Sequence, residues 1–186
     1  LSLHYVADGV FDRGGSATNR IEARAVAQAV MEHARLRPTQ TLGVGCFSVS
    51  QRDAVLDELE LLRREDPSLE SFFMASAEPF FVKNLENVQG DERDVIFISI
   101  GYGKDPQGYF HMNFGPINSE GGWRRLNVLI TRARSRCEVF YSIRPDEIRV
   151  ADLTDAERHS LRGRVALRNY LEYVRTRQLE QPGMPC

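Results

Sequence analysis

The sequence predicts an α/β fold in which a parallel sheet is covered by helices on both faces. Short apolar segments alternate with amphipathic helical patterns along the whole chain. Two of these segments, Leu42–Val49 and Asp94–Ile100, are apolar almost without interruption, which is typical of strands buried on both faces. The length of 186 residues and the 42% hydrophobic content fit one domain with its own core.

The order of the elements follows from apolar spacing, capping residues and breaks rich in Gly or Pro. Strands are predicted at residues 3–7, 42–49, 94–100 and 137–143, with possible strands at 72–74 and 79–84. Helices are predicted at residues 21–36, from a Ser50 cap to Asp66, at 123–134, and near the end of the chain to about residue 177. A loop over 101–122 is predicted to carry a hairpin arm at 109–114.

The first helix has the clearest start signal. Asn19 is predicted to cap it, and Glu22, three positions later, to complete a capping box. Ile21, Ala25 and Ala29 then share one face, flanked by Val26 and Val30, which is the spacing of a half-buried helix.

Composition argues against several classes of protein. The net charge of −2 excludes a bulk polycation, so any basic patch has to be local. The longest apolar runs are far shorter than the ~20 residues of a membrane span, and no basic-then-apolar leader opens the chain. Three cysteines without CxxC spacing argue against a zinc site or a disulfide framework. These features predict a cytoplasmic protein with no metal site and no membrane partner.

The motifs of self-contained enzymes are missing as well. The sequence contains no G-x-x-x-x-G-K-[ST] phosphate loop, no HExxH and no GxSxG. A complete NTPase, a zinc enzyme and a serine hydrolase are therefore disfavoured.

Two strings carry more information than the rest. In VQGDERDVIFIS, residues 88–99, Gly90 allows close backbone approach and Glu92 is a carboxylate at the sheet edge, although a plain acidic turn would look the same. In RRLNVLITRARSR, residues 124–136, Arg125 and Arg132 are two helical turns apart and are predicted to share a helix face. Such guanidinium groups suit a phosphoryl group, and an ion-paired surface helix is the other interpretation.

Taken together, in this order and about 35 residues apart, the two strings resemble motifs V and VI of superfamily 1 helicases. They match Q-G-x-E-x-D and R-R-x-N-V-x-x-T-R-A-R of the branch that contains the RNA-surveillance helicases. TNRIEA and the Ser50-Gln51 junction resemble the helix start and motif IV of the same domain, so the resemblance covers Leu3 to Ile143.

The resemblance implies the second, C-terminal RecA-like motor domain of such a helicase, over residues 1–150, with a three-layer P-loop NTPase-like architecture. Arg132 would be the arginine finger on the γ-phosphate. Glu92 and Gly90 would lie at the nucleotide, supported by Gln89 and Arg125. ATP and Mg²⁺ would bind only together with the N-terminal RecA-like domain of the same polypeptide, which supplies the phosphate loop.

The other partner implied by the resemblance is single-stranded DNA or RNA, with Gln51 and Ser99 as candidate contacts. Residues 151–178 are predicted to form a C-terminal helical extension and 179–186 a flexible tail. The chain departs from the family pattern at Asn84 and Glu86, which replace a small hydroxyl residue and an Asp.

Two other functions stay open at this point. The first is a non-catalytic nucleic-acid-binding or scaffolding module that kept the helicase-like fold. The second is a nuclease with a metal on Asp91, Glu92 and Asp94, which is disfavoured because the sequence places no lysine beside these acids.

Overall fold

The computed structural model describes residues 1–75, 77–150, 154 and 161–180. For residues 178–180 it describes the backbone alone. Its sheet has five parallel strands in the order β1-β5-β4-β2-β3. The strands are β1 Ser2–Tyr5, β2 Leu42–Cys46, β3 Phe81–Asn84, β4 Arg93–Ser99 and β5 Ala133–Tyr141. The predicted α/β parallel sheet is confirmed.

Helices cover both faces of this sheet. They are α1 Arg20–Leu36, α2 Val49–Glu65, α3 Glu70–Phe73, α4 Gly122–Ile130 and α5 Arg162–Glu180. On β4, Val95 and Phe97 pack with α1 and α2, whereas Ile96 and Ile98 pack with α4 and α5. This alternation follows from the two-residue period of a strand and gives the three-layer arrangement.

Two predictions near the first two helices were wrong. Residues 72–74 are not a strand: Phe72 and Phe73 belong to α3, where both rings contact Phe80. The second helix starts earlier because Ser48, rather than Ser50, caps it by accepting a hydrogen bond from the Gln51 amide at 3.1 Å.

The buried face of α1 is rotated by one residue from the prediction. Glu22, Val26 and Val30 are fully buried, whereas Ile21 is 40% exposed. Asn19 does cap α1, since its Oδ1 accepts from the Glu22 amide at 3.1 Å. The other half of the capping box is wrong, because the Asn19 amide donates to Gln51 Oε1 at 2.9 Å and not to Glu22.

The fourth helix is shorter than predicted, and the last strand is longer. Helix α4 ends at Ile130, and β5 begins at Ala133, which pairs with Arg93 of β4. Residues 133–136 continue the helical pattern in sequence, but in the structure they belong to β5 because they pair with β4. Arg132 lies in the turn between the two elements, so the prediction that Arg125 and Arg132 share a helix face was wrong.

A crossover without a helix connects β3 to β4. Residues 85–92 return the chain from the carboxyl end of β3 to the amino end of β4, and both strands pair with β2. Leu85 and Val88 are buried in the core on the α4 and α5 side, which anchors this segment to the sheet. The segment that contains Gly90 and Glu92 thus connects the edge where the strands end with the edge where they begin.

The remaining segments differ in detail from the predictions. The arm in the 101–122 loop forms an antiparallel bridge between Lys104 and Phe110, earlier in sequence than predicted. Helix α5 runs through Glu180, two residues into the predicted tail, while residues 155–160 and 181–186 lie outside the described residues. Within the described ranges, no helix combines the length and apolarity needed to cross a bilayer.

Candidate functional site

Arg132 and Glu92 meet at the amino ends of two neighbouring strands. Glu92 immediately precedes β4, and Arg132 lies one residue before β5 begins. Their turns are tied by the Arg93 amide, which donates to the Arg132 carbonyl at 3.1 Å. Arg132 Nη1 lies 3.6 Å from Glu92 Oε1. The structure therefore brings together two residues that the sequence assigned to one nucleotide site.

The guanidinium of Arg132 is held on one side and open on the other. Its Nε donates to the carbonyl of Val128 at 3.0 Å, and its Nη2 lies 3.4 Å from the Thr131 hydroxyl. Carbonyls at a helix C-terminus attract cations, so this contact orients the side chain. The Glu92 side chain is 55% exposed, and its 3.6 Å ion pair is one that an incoming anion can replace.

Gln89 and Gly90 lie just before this pair, at the exposed end of the crossover. Gly90 has φ +88°, which L side chains rarely adopt, while a Cβ there would meet no atom within 4 Å. The turn itself therefore requires this glycine, with no neighbouring atom of the chain involved.

Arg125 forms its hydrogen bonds at the start of α4. Its Nη1 donates to the Ser119 hydroxyl at 2.9 Å and to the carbonyls of Glu120 at 3.1 Å and Pro116 at 3.3 Å. These bonds hold the loop that precedes α4. Arg125 therefore stabilises the start of α4, and none of its hydrogen bonds is with Arg132 or Glu92.

The three acids of the nuclease hypothesis each face a different cation. Asp91 pairs with Lys83 at 2.7 Å, Glu92 with Arg132, and Asp94 with Arg134 at 3.4 Å. Asp94 also accepts hydrogen bonds from Thr41, and the backbone bond is the main reason that the pKa of Asp94 lies below its usual value. A lysine does lie beside these acids, contrary to the prediction, because the crossover brings β3 next to Asp91.

The two predicted nucleic-acid contacts are buried at the carboxyl ends of the strands. Gln51 is 1% exposed and Ser99 is fully buried. Gln51 Nε2 donates to the Ser99 hydroxyl and to the Asn19 carbonyl, both at 3.1 Å. Contact with a nucleic-acid strand would require both side chains to leave these bonds, so their arrangement does not favour that role.

Sequence reasoning missed the centre of this network, which is Glu22. Its Oε1 accepts from the Gly101 amide at 2.7 Å and the Ser99 hydroxyl at 2.8 Å, and its Oε2 accepts from the Ser142 hydroxyl at 2.8 Å. Burial raises the pKa of Glu22 to about 7, against the opposing effect of these hydrogen bonds. Its spacing from Val26 on α1 was the one signal that could have revealed its buried position.

Comparisons with known proteins find a matching domain family and two similar helicases. A family described as AAA domain matches residues 7–142. An uncharacterized ATP-dependent helicase of Mycoplasma genitalium is 37% identical over 151 residues, and its homologue in Mycoplasma pneumoniae is 38% identical over 151 residues. Each alignment covers 78% of this chain and 13% of the relative. The chain thus corresponds to a small part of these helicases.

Proposed function

The chain belongs to the AAA domain family, and on that premise we propose that it is the C-terminal RecA-like motor domain of a superfamily 1 helicase or translocase. In this role it supplies one wall of an ATP site, and an N-terminal RecA-like domain with a phosphate loop supplies the other. Single-stranded DNA or RNA is the polymer on which the two domains act.

The observation that carries this proposal is the orientation of the Arg132 guanidinium, which is fixed by the bond from Nε to the Val128 carbonyl. Phosphoryl transfer depends on positioning and on stabilising the charge of the transferred group. The bond to Val128 fixes Arg132 through Nε, and Nη1, whose partner is the exposed Glu92, can be given to an anion brought by a facing domain. A phosphate oxygen that replaces Glu92 beside Nη1 would meet a guanidinium already in place.

Glu92 fits the same site from the other side. An exposed carboxylate can accept hydrogen bonds from ribose hydroxyls once the phosphate has taken its place at Arg132. Acids of the facing domain would hold Mg²⁺, which would supply neutralisation of the phosphate charge. The residues of this chain fit only one side of such a nucleotide, which agrees with a site shared between two domains.

The crossover gives this domain a direct link between its two ends. Residues 85–92 run from Asn84, at the carboxyl end of β3, to Glu92 at the nucleotide side. A movement of Glu92 on nucleotide binding would therefore act on the chain that leads to Asn84. Domain closure and reopening around ATP would use this connection during translocation.

We expect the purified chain to turn over no ATP and to bind ATP weakly. Arg132 and Glu92 provide one cation and one carboxylate, without the backbone cradle and lysine of a phosphate loop. Steady-state phosphate release and a direct nucleotide-binding titration measure both properties. Sustained turnover by the purified wild-type chain that Arg132→Ala abolishes would show that the site is complete without a second domain.

The arginines of the nucleotide side should contribute little to polymer binding. Arg132 is held by Glu92 and Val128, and Arg134 pairs with Glu78 and Asp94. We expect Arg132→Ala and Arg134→Ala to leave the affinity for an oligothymidylate within about twofold of wild type, as measured by fluorescence anisotropy at several salt concentrations. Loss of binding in both variants would place the polymer on this surface instead.

A further inference from the structure

A cleft lies at the N-terminal end of α4, whereas Arg132 follows the C-terminal end of this helix. It has a volume of about 560 Å³ and is lined by Glu120, Gly121, Trp123, Arg124, Arg162 and Gly163. Helix α4 has nine residues, so roughly 13 Å of helix separates this cleft from the turn that holds Arg132. We call it the Trp123 cleft. Its volume falls in the range of small-molecule sites.

Two glycines bring the walls of the Trp123 cleft together. A Cβ at Gly122 would lie 2.0 Å from the carbonyl oxygen of Ile117, and one at Gly163 would lie 1.7 Å from the same oxygen. Because neither residue has a side chain, the first turns of α4 and α5 both pack against this one backbone group. This packing places the start of α4 next to the start of α5, so that the cleft is lined by Trp123, Arg124 and Arg162.

The side chains of the cleft are aromatic and cationic. Trp123 is partly exposed, and the guanidinium carbon of Arg124 lies 5.3 Å from its ring centroid. Within the ranges that the structure describes, neither Arg124 nor Arg162 forms an ion pair, whereas Arg132, Arg134 and Arg136 do. Glu120 is the single acid in the lining. The cleft therefore combines a partly exposed indole ring, with the Arg124 guanidinium over one of its faces, and two arginines that form no ion pair with a described residue.

We propose that the Trp123 cleft binds one nucleotide unit of single-stranded DNA or RNA, with the base on Trp123 and the phosphates on Arg124 and Arg162. Aromatic rings stack on any base, and the arginine fork matches phosphate oxygens. The contact is accordingly tolerant of sequence, as a translocating protein requires. This inference rests on the nucleic-acid partner of the proposed function and is independent of the ATP site.

The chain offers a direct test, because Trp123 is its single tryptophan. A twelve-nucleotide oligothymidylate should quench the intrinsic fluorescence of the wild-type chain in a saturable way. The mononucleotide dTMP should quench only at much higher concentration, since it lacks the flanking phosphates. Tripolyphosphate should leave the fluorescence unchanged, because it has no base to stack on the ring.

Variants then separate stacking from charge in an anisotropy assay with a labelled oligothymidylate. Trp123→Ala should weaken binding about tenfold, and Trp123→Phe should retain most of the affinity because a ring remains. Arg124→Gln and Arg162→Gln should each lower the slope of log affinity against log salt by about 0.7. Arg24→Gln, at an exposed arginine of α1 on the opposite face of the sheet, is the matched control and should bind like wild type.

Three outcomes would overturn the proposal. They are binding by Trp123→Ala at the wild-type affinity, quenching by tripolyphosphate as strong as that by the oligonucleotide, and dTMP binding as tight as the oligonucleotide. Failure here can be told apart from failure of the proposed function. If the cleft variants bind normally while Arg132→Ala still abolishes ATP turnover in the two-domain protein, only the Trp123 cleft is wrong.

Discussion

Arg132→Ala is expected to lower ATP turnover by about 10³-fold in a polypeptide that joins this chain to a phosphate-loop domain. The guanidinium stabilises charge that develops in the transition state, so its loss raises the barrier more than it weakens nucleotide binding. The fold should survive, because Arg132 lies in a turn and its pair with the exposed Glu92 contributes little to stability. Steady-state ATPase with saturating single strand, nucleotide binding and a melting curve measure the three properties.

Arg132→Lys should not restore this activity. In the structure Nε is bonded to Val128 while Nη1 can reach an anion, and lysine has one nitrogen that cannot serve both. Arg24→Ala is the control, and it should turn over ATP at the wild-type rate. If Arg132→Ala lost activity only in proportion to its melting temperature, the residue would be structural and the assignment wrong.

Glu22 should make the stability of this chain fall as the pH rises from about 4.5 to 7. The pKa of its carboxyl is about 7 in the folded protein and close to 4.5 in the unfolded chain, so the folded state holds the proton more tightly across this window. The contribution of Glu22 is fully present below the lower value and is lost as the carboxyl ionises. The total change is about 3 kcal/mol in the free energy of unfolding.

Glu22→Gln isolates this effect because its amide does not titrate. We expect the unfolding free energy of wild type minus that of Glu22→Gln to fall by about 3 kcal/mol between pH 4.5 and 8, as measured by urea denaturation. Other titrating groups cancel in the difference. A difference that stays constant or rises with pH would mean that the bonds from Ser99, Gly101 and Ser142 keep the carboxylate ionised.

The sheet could be predicted because two of its inner strands, β2 and β4, lie in almost continuous apolar segments. The boundary between α4 and β5 could not, since residues 131–136 continue the helical pattern and join β5 only through pairing with β4. The spacing of Glu22 from Val26 indicates burial, but the hydrogen bonds of its carboxylate could not be predicted, because Ser99 and Ser142, which donate to it, are distant in sequence. The energetic cost of burying a charged residue can be predicted only when the groups that hydrogen-bond to it are known.

The candidate site residues divide in the same way. Arg132 and Glu92 could be proposed from the sequence because each lies in a motif, and the structure brings them together at adjacent strands. Arg125 lies in the same motif, but its hydrogen bonds stabilise the loop before α4. Trp123 and Arg162 belong to separate segments, so no local pattern could have indicated a shared cleft.

The central claim is that ATP hydrolysis requires two domains and that this chain supplies Arg132. The most direct test is ATP turnover by the phosphate-loop domain alone, joined to the wild-type chain, and joined to the Arg132→Ala chain, all with saturating single strand. We predict turnover only in the second protein. Equal turnover by the phosphate-loop domain alone, or by the Arg132→Ala protein, would contradict the claim and favour a non-catalytic module with a helicase-like fold.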